Sequence, residues 1–165
     1  MKLQFLEIYD HYFNDVYRYV LVKTGNKWDA EDIVSDTFRK AYEKLSSLKD
    51  DSNPKSWLMS IARNNVIDFY RKKKGVLVGD DLESYLSPIP FDDPLDQSDE
   101  LVCLKKSLVH LSKEDLEIVN LRYFAGLKFK EMADVLKKED GSLRVKSSRI
   151  TKKIGILITK CLGEL

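Results

Sequence analysis

Cysteine, histidine, glycine and proline are all scarce in this chain of 165 residues, numbering two, two, seven and four. Each shortage closes off a class of protein. Two cysteines far apart, Cys103 and Cys161, each among apolar residues at helical spacing, read as buried reduced thiols and not as a disulfide framework or a nucleophile. His11 and His110 stand alone without a second ligand at a recognisable spacing, so no metal or cofactor site is expected. Few glycines and prolines leave long stretches free to be helical. No apolar run approaches the length of a membrane-spanning helix, and the N-terminal MKLQFLEIYDHYF carries acidic residues where a signal peptide needs an apolar core. The expectation is a cytoplasmic protein with no membrane insertion of its own.

A composition of 43% apolar and 33% charged residues is that of a globular protein, and the net charge of +1 conceals a partition. Residues 1–74 carry an excess of three positive charges, residues 75–104 contain no lysine or arginine and eight carboxylates, and residues 105–165 carry an excess of six positive charges. Two basic blocks joined by an acidic connector are a pattern open to a two-part nucleic-acid binder.

Hydrophobic periodicity predicts helices almost throughout. Residues 3–23 place Leu6, Tyr9, Phe13, Val16, Tyr17 and Val20 on one stripe that ends at Thr24-Gly25. Asp29 then reads as an N-cap, with Trp28 and Ile33 as a hydrophobic staple and Ala30, Ile33, Val34, Phe38, Ala41, Tyr42 and Leu45 inward. After a polar loop, 46–52, Asn53 caps a helix that begins at Pro54, and a basic last turn precedes Gly75. Trp57, Leu58, Ile61, Ala62, Val66 and Phe69 form its stripe, and Asn65 near the middle reads as a buried hydrogen-bonding residue. The other face carries Ser56, Ser60, Arg63, Asn64 and Arg71, followed by Lys72 and Lys73. Such a face suits phosphates and base edges, although a solvated face with a charged end would look the same.

Residues 75–97 hold three of the four prolines and read as a linker. Ser98 opens a helix to about His110; Ser112 opens the next, with Leu116, Val119 and Tyr123 inward and Gly126 at its end. Phe129, Met132, Ala133 and Leu136 mark a short helix, residues 137–141 a turn, and Ser142 caps a last helix with Ile150, Ile154, Leu157 and Cys161 inward. This last pair reads as a helix-turn-helix whose strongly basic second helix can enter a major groove. The fold class is therefore all-α: an N-terminal helix bundle, 1–74, and a C-terminal helix-turn-helix domain, 98–165, joined by an acidic linker.

Three motifs in order resemble the sigma-70 type of bacterial RNA polymerase sigma factor, in its small extracytoplasmic-function group. AEDIVSDTFRKAY (30–42) resembles the helix that docks on the polymerase clamp, SWLMSIARNNVIDFYR (56–71) the promoter-melting helix, and LRYFAGLKFKEMADVL (121–136) the start of the C-terminal helix-turn-helix. The resemblance implies a non-catalytic transcription initiation factor whose partners are core RNA polymerase, promoter DNA and, as is typical of the family, an anti-sigma factor. By the same resemblance Asp32, Asp36, Thr37, Arg39 and Lys40 bind the polymerase, and Ser60, Arg63, Asn64, Arg71, Lys72 and Lys73 meet the minus-ten element. Arg144, Lys146, Ser147, Ser148, Arg149, Lys152 and Lys153 meet the minus-thirty-five element. The chain departs from the family in KKEDGSLRVKSSRI (137–150), about two residues longer at the turn, so two registers of the recognition helix compete. A helix-turn-helix regulator acting alone on duplex DNA would explain the C-terminal half but leave the first two motifs without a role.

Overall fold

The computed structural model describes residues 4–49, 51–73 and 98–164, so the acidic linker of the sequence reading lies outside the described residues. Among those residues every regular element is helical. Helix α1 (Phe5–Thr24) is closed by Gly25, whose left-handed backbone (φ 68°) lets its N–H reach the Leu21 carbonyl at 2.8 Å. Helix α2 (Lys27–Lys44) is capped by Asn26 and not by Asp29, because the Asn26 Oδ1 accepts from the amides of both Trp28 and Asp29. A short 3₁₀ turn (Leu45–Ser47) follows, and Asn53 starts α3 (Pro54–Lys73) by accepting from the Ser56 amide at 3.0 Å. These three helices enclose Val16, Tyr19, Val20, Ile33, Phe38, Leu58, Ala62 and Val66.

The second half begins where the serines predict. Ser98 caps α4 (Asp99–Val109) and Ser112 caps α5 (Lys113–Val119), each hydroxyl accepting an amide of the first turn. The chain continues without a break through a π-helical segment (Asn120–Phe124) to Gly126 (φ 70°). Helix α6 (Phe129–Leu136) and helix α7 (Asp140–Gly163) complete the half, and α4 and α7 pack along one another. The turn between α6 and α7 spans only residues 137–139, with Lys137 in the left-handed conformation (φ 57°), and Glu139 occupies the N-cap position in place of Ser142. The additional residues seen in the sequence are thus absorbed as the first turn of α7, not as a longer loop.

Several inward assignments are corrected. Leu6, Tyr42 and Tyr123 are 68%, 66% and 59% exposed, and Trp28 is exposed where a staple was expected. In α1 Val16 and Val20 of the predicted stripe are fully buried and Phe13 and Tyr17 pack against the core, and the buried line also takes in Ile8 and Tyr19. Ser56, assigned to the polar face of α3, is buried, its hydroxyl reaching Asp134 of α6. The cysteines are not free thiols: Cys103 of α4 and Cys161 of α7 form a disulfide, their Cα atoms 5.7 Å apart. The packing of α4 along α7 creates that proximity across a sequence separation of 58 residues, which the apolar spacing around each cysteine cannot report.

Candidate nucleic-acid interface

The outer face of α2 presents Glu31, Asp32, Ser35, Asp36 and Arg39 to solvent. Arg39 bridges Asp36 and Glu43 at 3.4 Å each, exposed pairs that solvent screens, so these side chains remain available to a partner. Thr37 turns inward. Its hydroxyl donates to the Ile33 carbonyl at 2.7 Å and accepts from the Asn65 amide at 3.1 Å, while the Lys40 ammonium donates to the Asn65 Oδ1 at 2.6 Å. Asn65 is the buried hydrogen-bonding residue expected, and it ties α3 to the one side of α2 that the solvent does not reach. Because a Thr37→Val substitution leaves the Asn65 amide without an acceptor at nearly constant volume, we expect it to cost about 1–3 kcal/mol of stability. A urea melt of that variant checks the figure, and Lys40 should gain mobility with it.

On α3, Asn64, Arg71, Lys72 and Lys73 are exposed, with Arg71 3.7 Å from Asp68 and Lys73 3.7 Å from Asp29. Ser60 is half-buried, its hydroxyl donating to the Ser56 carbonyl at 2.9 Å. Arg63 differs from the rest of this set: its side chain is only 35% exposed and points at Glu117 of α5, 3.6 Å away. Trp57 packs half-buried against the core.

On α7 the buried side is Leu143, Ser147 and Ile150, which faces the other helices of its half, so Ser147 is turned away from the open face. Arg144, Ser148, Arg149, Lys152 and Lys153 are exposed, with Val145 between them. Arg144 lies over the Phe129 ring at 4.9 Å, the same ring that Arg122 approaches at 4.3 Å, so its guanidinium is steered by a cation–π contact at the start of α6. Lys146 donates to Glu114 at 2.7 Å, and Lys138 pairs with the same carboxylate. Hydrogen bonds from the two ammonium groups hold the Glu114 carboxyl at about 2, below its usual range. A depressed carboxylate contributes stability that is full above its unfolded pKa and lost as pH falls towards 2. Carbon-detected NMR titration should therefore find the Glu114 midpoint near 2, moving back towards 4.5 when Lys138 and Lys146 are both replaced by methionine.

The two halves meet along a seam that sequence reasoning did not foresee. Glu117 is buried there, accepting the Tyr19 hydroxyl at 2.6 Å and pairing with the Lys23 ammonium as well as facing Arg63. Burial pushes the Tyr19 phenol up, so it stays a donor. Arg18 donates to the Phe124 carbonyl at 2.9 Å and Lys55 to the Gly126 carbonyl at 3.0 Å. Nothing in the sequence marks Glu117, since the inward positions of its helix read as Leu116, Val119 and Tyr123.

This chain is similar to curated proteins and to a solved structure that are named as sigma factors. The Sigma-70 region 2 family matches residues 8–76. The ECF RNA polymerase sigma factor SigM of Bacillus subtilis is 33% identical over 159 residues, covering 96% of this chain and 97% of the relative. The chain belongs to the ECF RNA polymerase sigma factors. Sigma factor SigV of Bacillus subtilis is 29% identical to it over 146 residues, 88% of this chain and 86% of the relative. The sigma factor RpoE of Bartonella quintana, solved with the anti-sigma factor NepR, shares 25% identity and a TM-score of 0.67, over 94% of this chain and 96% of that one. Among the described residues of this sigma factor no helix is long and apolar enough to cross a membrane, and no group of side chains is arranged to hold a metal ion.

Proposed function

We propose that this sigma factor binds core RNA polymerase through the outer face of α2 and directs it to promoters, with no catalysis of its own. The helix-turn-helix of α6 and α7 reads the minus-thirty-five element as duplex, and α3 holds the melted minus-ten strand. The observation that carries this reading is the cationic outer face of α7. Arg144, Ser148, Arg149 and Lys152 lie along one exposed side, at the three-and-four spacing that follows a groove. Within the minus-thirty-five set, Lys146 is engaged by Glu114 and Ser147 faces the core, so direct base contacts fall to Arg144, Ser148 and Arg149 and backbone contacts to Lys152 and Lys153. On α2, Asp32, Asp36 and Arg39 meet the polymerase, while Thr37 and Lys40 hold the helix in place.

Residues 1–74 and 98–165 serve in this reading as the minus-ten and minus-thirty-five domains. An anti-sigma factor is a further partner, by likeness to the Bartonella RpoE complex. Run-off transcription with purified core polymerase on a promoter library tests the proposal. Specific starts that depend on this chain are expected, and Arg144→Ala with Arg149→Ala should lose them while still binding core. A chain that binds duplex DNA alone and gives no starts with core would overturn it.

A further inference from the structure

Between α1, α3, α5 and the end of α6 lies a cleft of about 330 Å³, at the small end of the range in which ligand pockets fall. Four cations line it, Lys23, Arg63, Lys113 and Lys138, against two carboxylates, Glu114 and Glu117, so its walls carry a formal excess of two positive charges. The carboxylates are already engaged. Glu117 accepts the Tyr19 hydroxyl and pairs with Lys23, while Glu114 pairs with Lys138 and with Lys146. The excess therefore resides on Arg63 and Lys113. Among the described residues the Arg63 guanidinium makes no hydrogen bond, its buried Nε standing 3.6 Å from Glu117, and Lys113 forms no ion pair. A buried N–H without an acceptor costs free energy that a fitting anion recovers.

We propose that this cleft binds a small, hydrophilic phosphate monoester of the sugar-phosphate class. Two unengaged cations match the charge of one phosphate dianion, and a guanidinium offers the planar fork that phosphate oxygens accept as a pair. A carboxylate ligand, with a single charge, would leave one cation unbalanced. The rest of the ligand follows from the remaining walls. Among the described residues that line the cleft Leu136 is the one apolar side chain and none is aromatic, so a nucleobase finds no ring to stack on. Glu114 is half-exposed, and its carboxylate has lone pairs left to accept the hydroxyl groups of a sugar. Arg63 serves this site because it points across the seam at Glu117, and not out to solvent with Asn64 and Arg71. Since Arg63 belongs to the N-terminal half and Lys113 to the C-terminal half, the ligand binds only while the halves are packed, and by linkage it stabilises that packing.

Isothermal titration of the full chain at low salt tests the site, with ribose phosphorylated on its primary hydroxyl, inorganic phosphate, ribose and adenosine monophosphate as probes. The ribose phosphate is expected to bind one per chain with a Kd below about 1 mM, inorganic phosphate more weakly, and ribose not at all. Adenosine monophosphate should bind no tighter than the ribose phosphate. Arg63→Lys keeps the charge but not the fork and should weaken binding roughly tenfold. Lys113→Gln changes an exposed side chain that the fold does not use, and should weaken it by a similar factor. Lys106→Gln makes the same charge change on α4, outside the cleft, and should leave affinity unchanged. No saturable heat with either phosphate compound would overturn the proposal. So would equal losses in Lys113→Gln and Lys106→Gln, which would mark an adventitious anion only. Equal affinity for inorganic phosphate and the ribose phosphate, or tighter binding of the nucleotide, would overturn the sugar-phosphate class. None of these readouts involves polymerase or promoter DNA, so their failure leaves promoter direction untouched.

Discussion

Cys161→Ser, or reduction of the wild-type chain, is expected to remove about 4 kcal/mol from the stability of the C-terminal half. The magnitude follows from the chain entropy that a crosslink across a separation of 58 residues takes from the unfolded state. The folded side of the comparison makes the loss local. Beyond Ile150 no residue of α7 is fully buried, so the last three turns of that helix rest on half-buried Ile154, Leu157 and Ile158 and on the bond itself. Both tryptophans, Trp28 and Trp57, lie in the N-terminal half. In urea, the reduced chain should therefore lose helical ellipticity at a lower concentration than it loses tryptophan signal, whereas the oxidised chain should show the two transitions closer together. Coincident transitions in both states would show that the bond contributes nothing the packing does not already supply.

Glu117→Ala should have the second large effect. Removing one partner of a buried ion pair ordinarily costs about 3–5 kcal/mol, because the ammonium of Lys23 and the guanidinium of Arg63 stay behind in a poorly solvating place. Here the molecule has a cheaper response. If the halves part, both cations reach water, and the loss cannot exceed the free energy of opening. The expected result is a larger radius of gyration by small-angle scattering with both helical halves still folded. Glu117→Gln should expand less, since its Oε1 still accepts from Tyr19. A cooperative loss of all helix without expansion would mean that the seam is part of a fused core.

What could be read from the chain alone follows the range of the physics involved. Asn53, Ser98 and Ser112 announce their helices because a cap is satisfied within its own first turn. Asn65 was legible for a similar reason, as a polar residue in the middle of an apolar stripe must find a partner nearby, and Thr37 and Lys40 are those partners. The exposed cationic side of α7 was legible in charge, but the start of the helix was not, because the position of its first turn depends on the left-handed Lys137, which no residue type signals. The exposed aromatics Tyr42 and Tyr123 deceived the periodicity for the opposite reason: each ring is amphipathic and sits at a margin, Tyr42 against the edge of Phe5 and Tyr123 with its hydroxyl 3.2 Å from Thr151. Least legible were Glu117, Asp134 and the cysteine pair, whose meaning lies wholly in partners far off in the sequence, on other helices.

The bond between Cys103 and Cys161 also gives the C-terminal half a different topology from the rest of the chain. Helices α5 and α6 and nearly all of α7 lie inside a closed covalent ring. One peptide cut anywhere on that ring opens it without dividing the molecule, so a nick in the turn at 137–139 leaves both helices of the helix-turn-helix on one particle. Cuts outside the ring, such as in the turn at 25–26, divide the chain into two pieces that only non-covalent packing holds together.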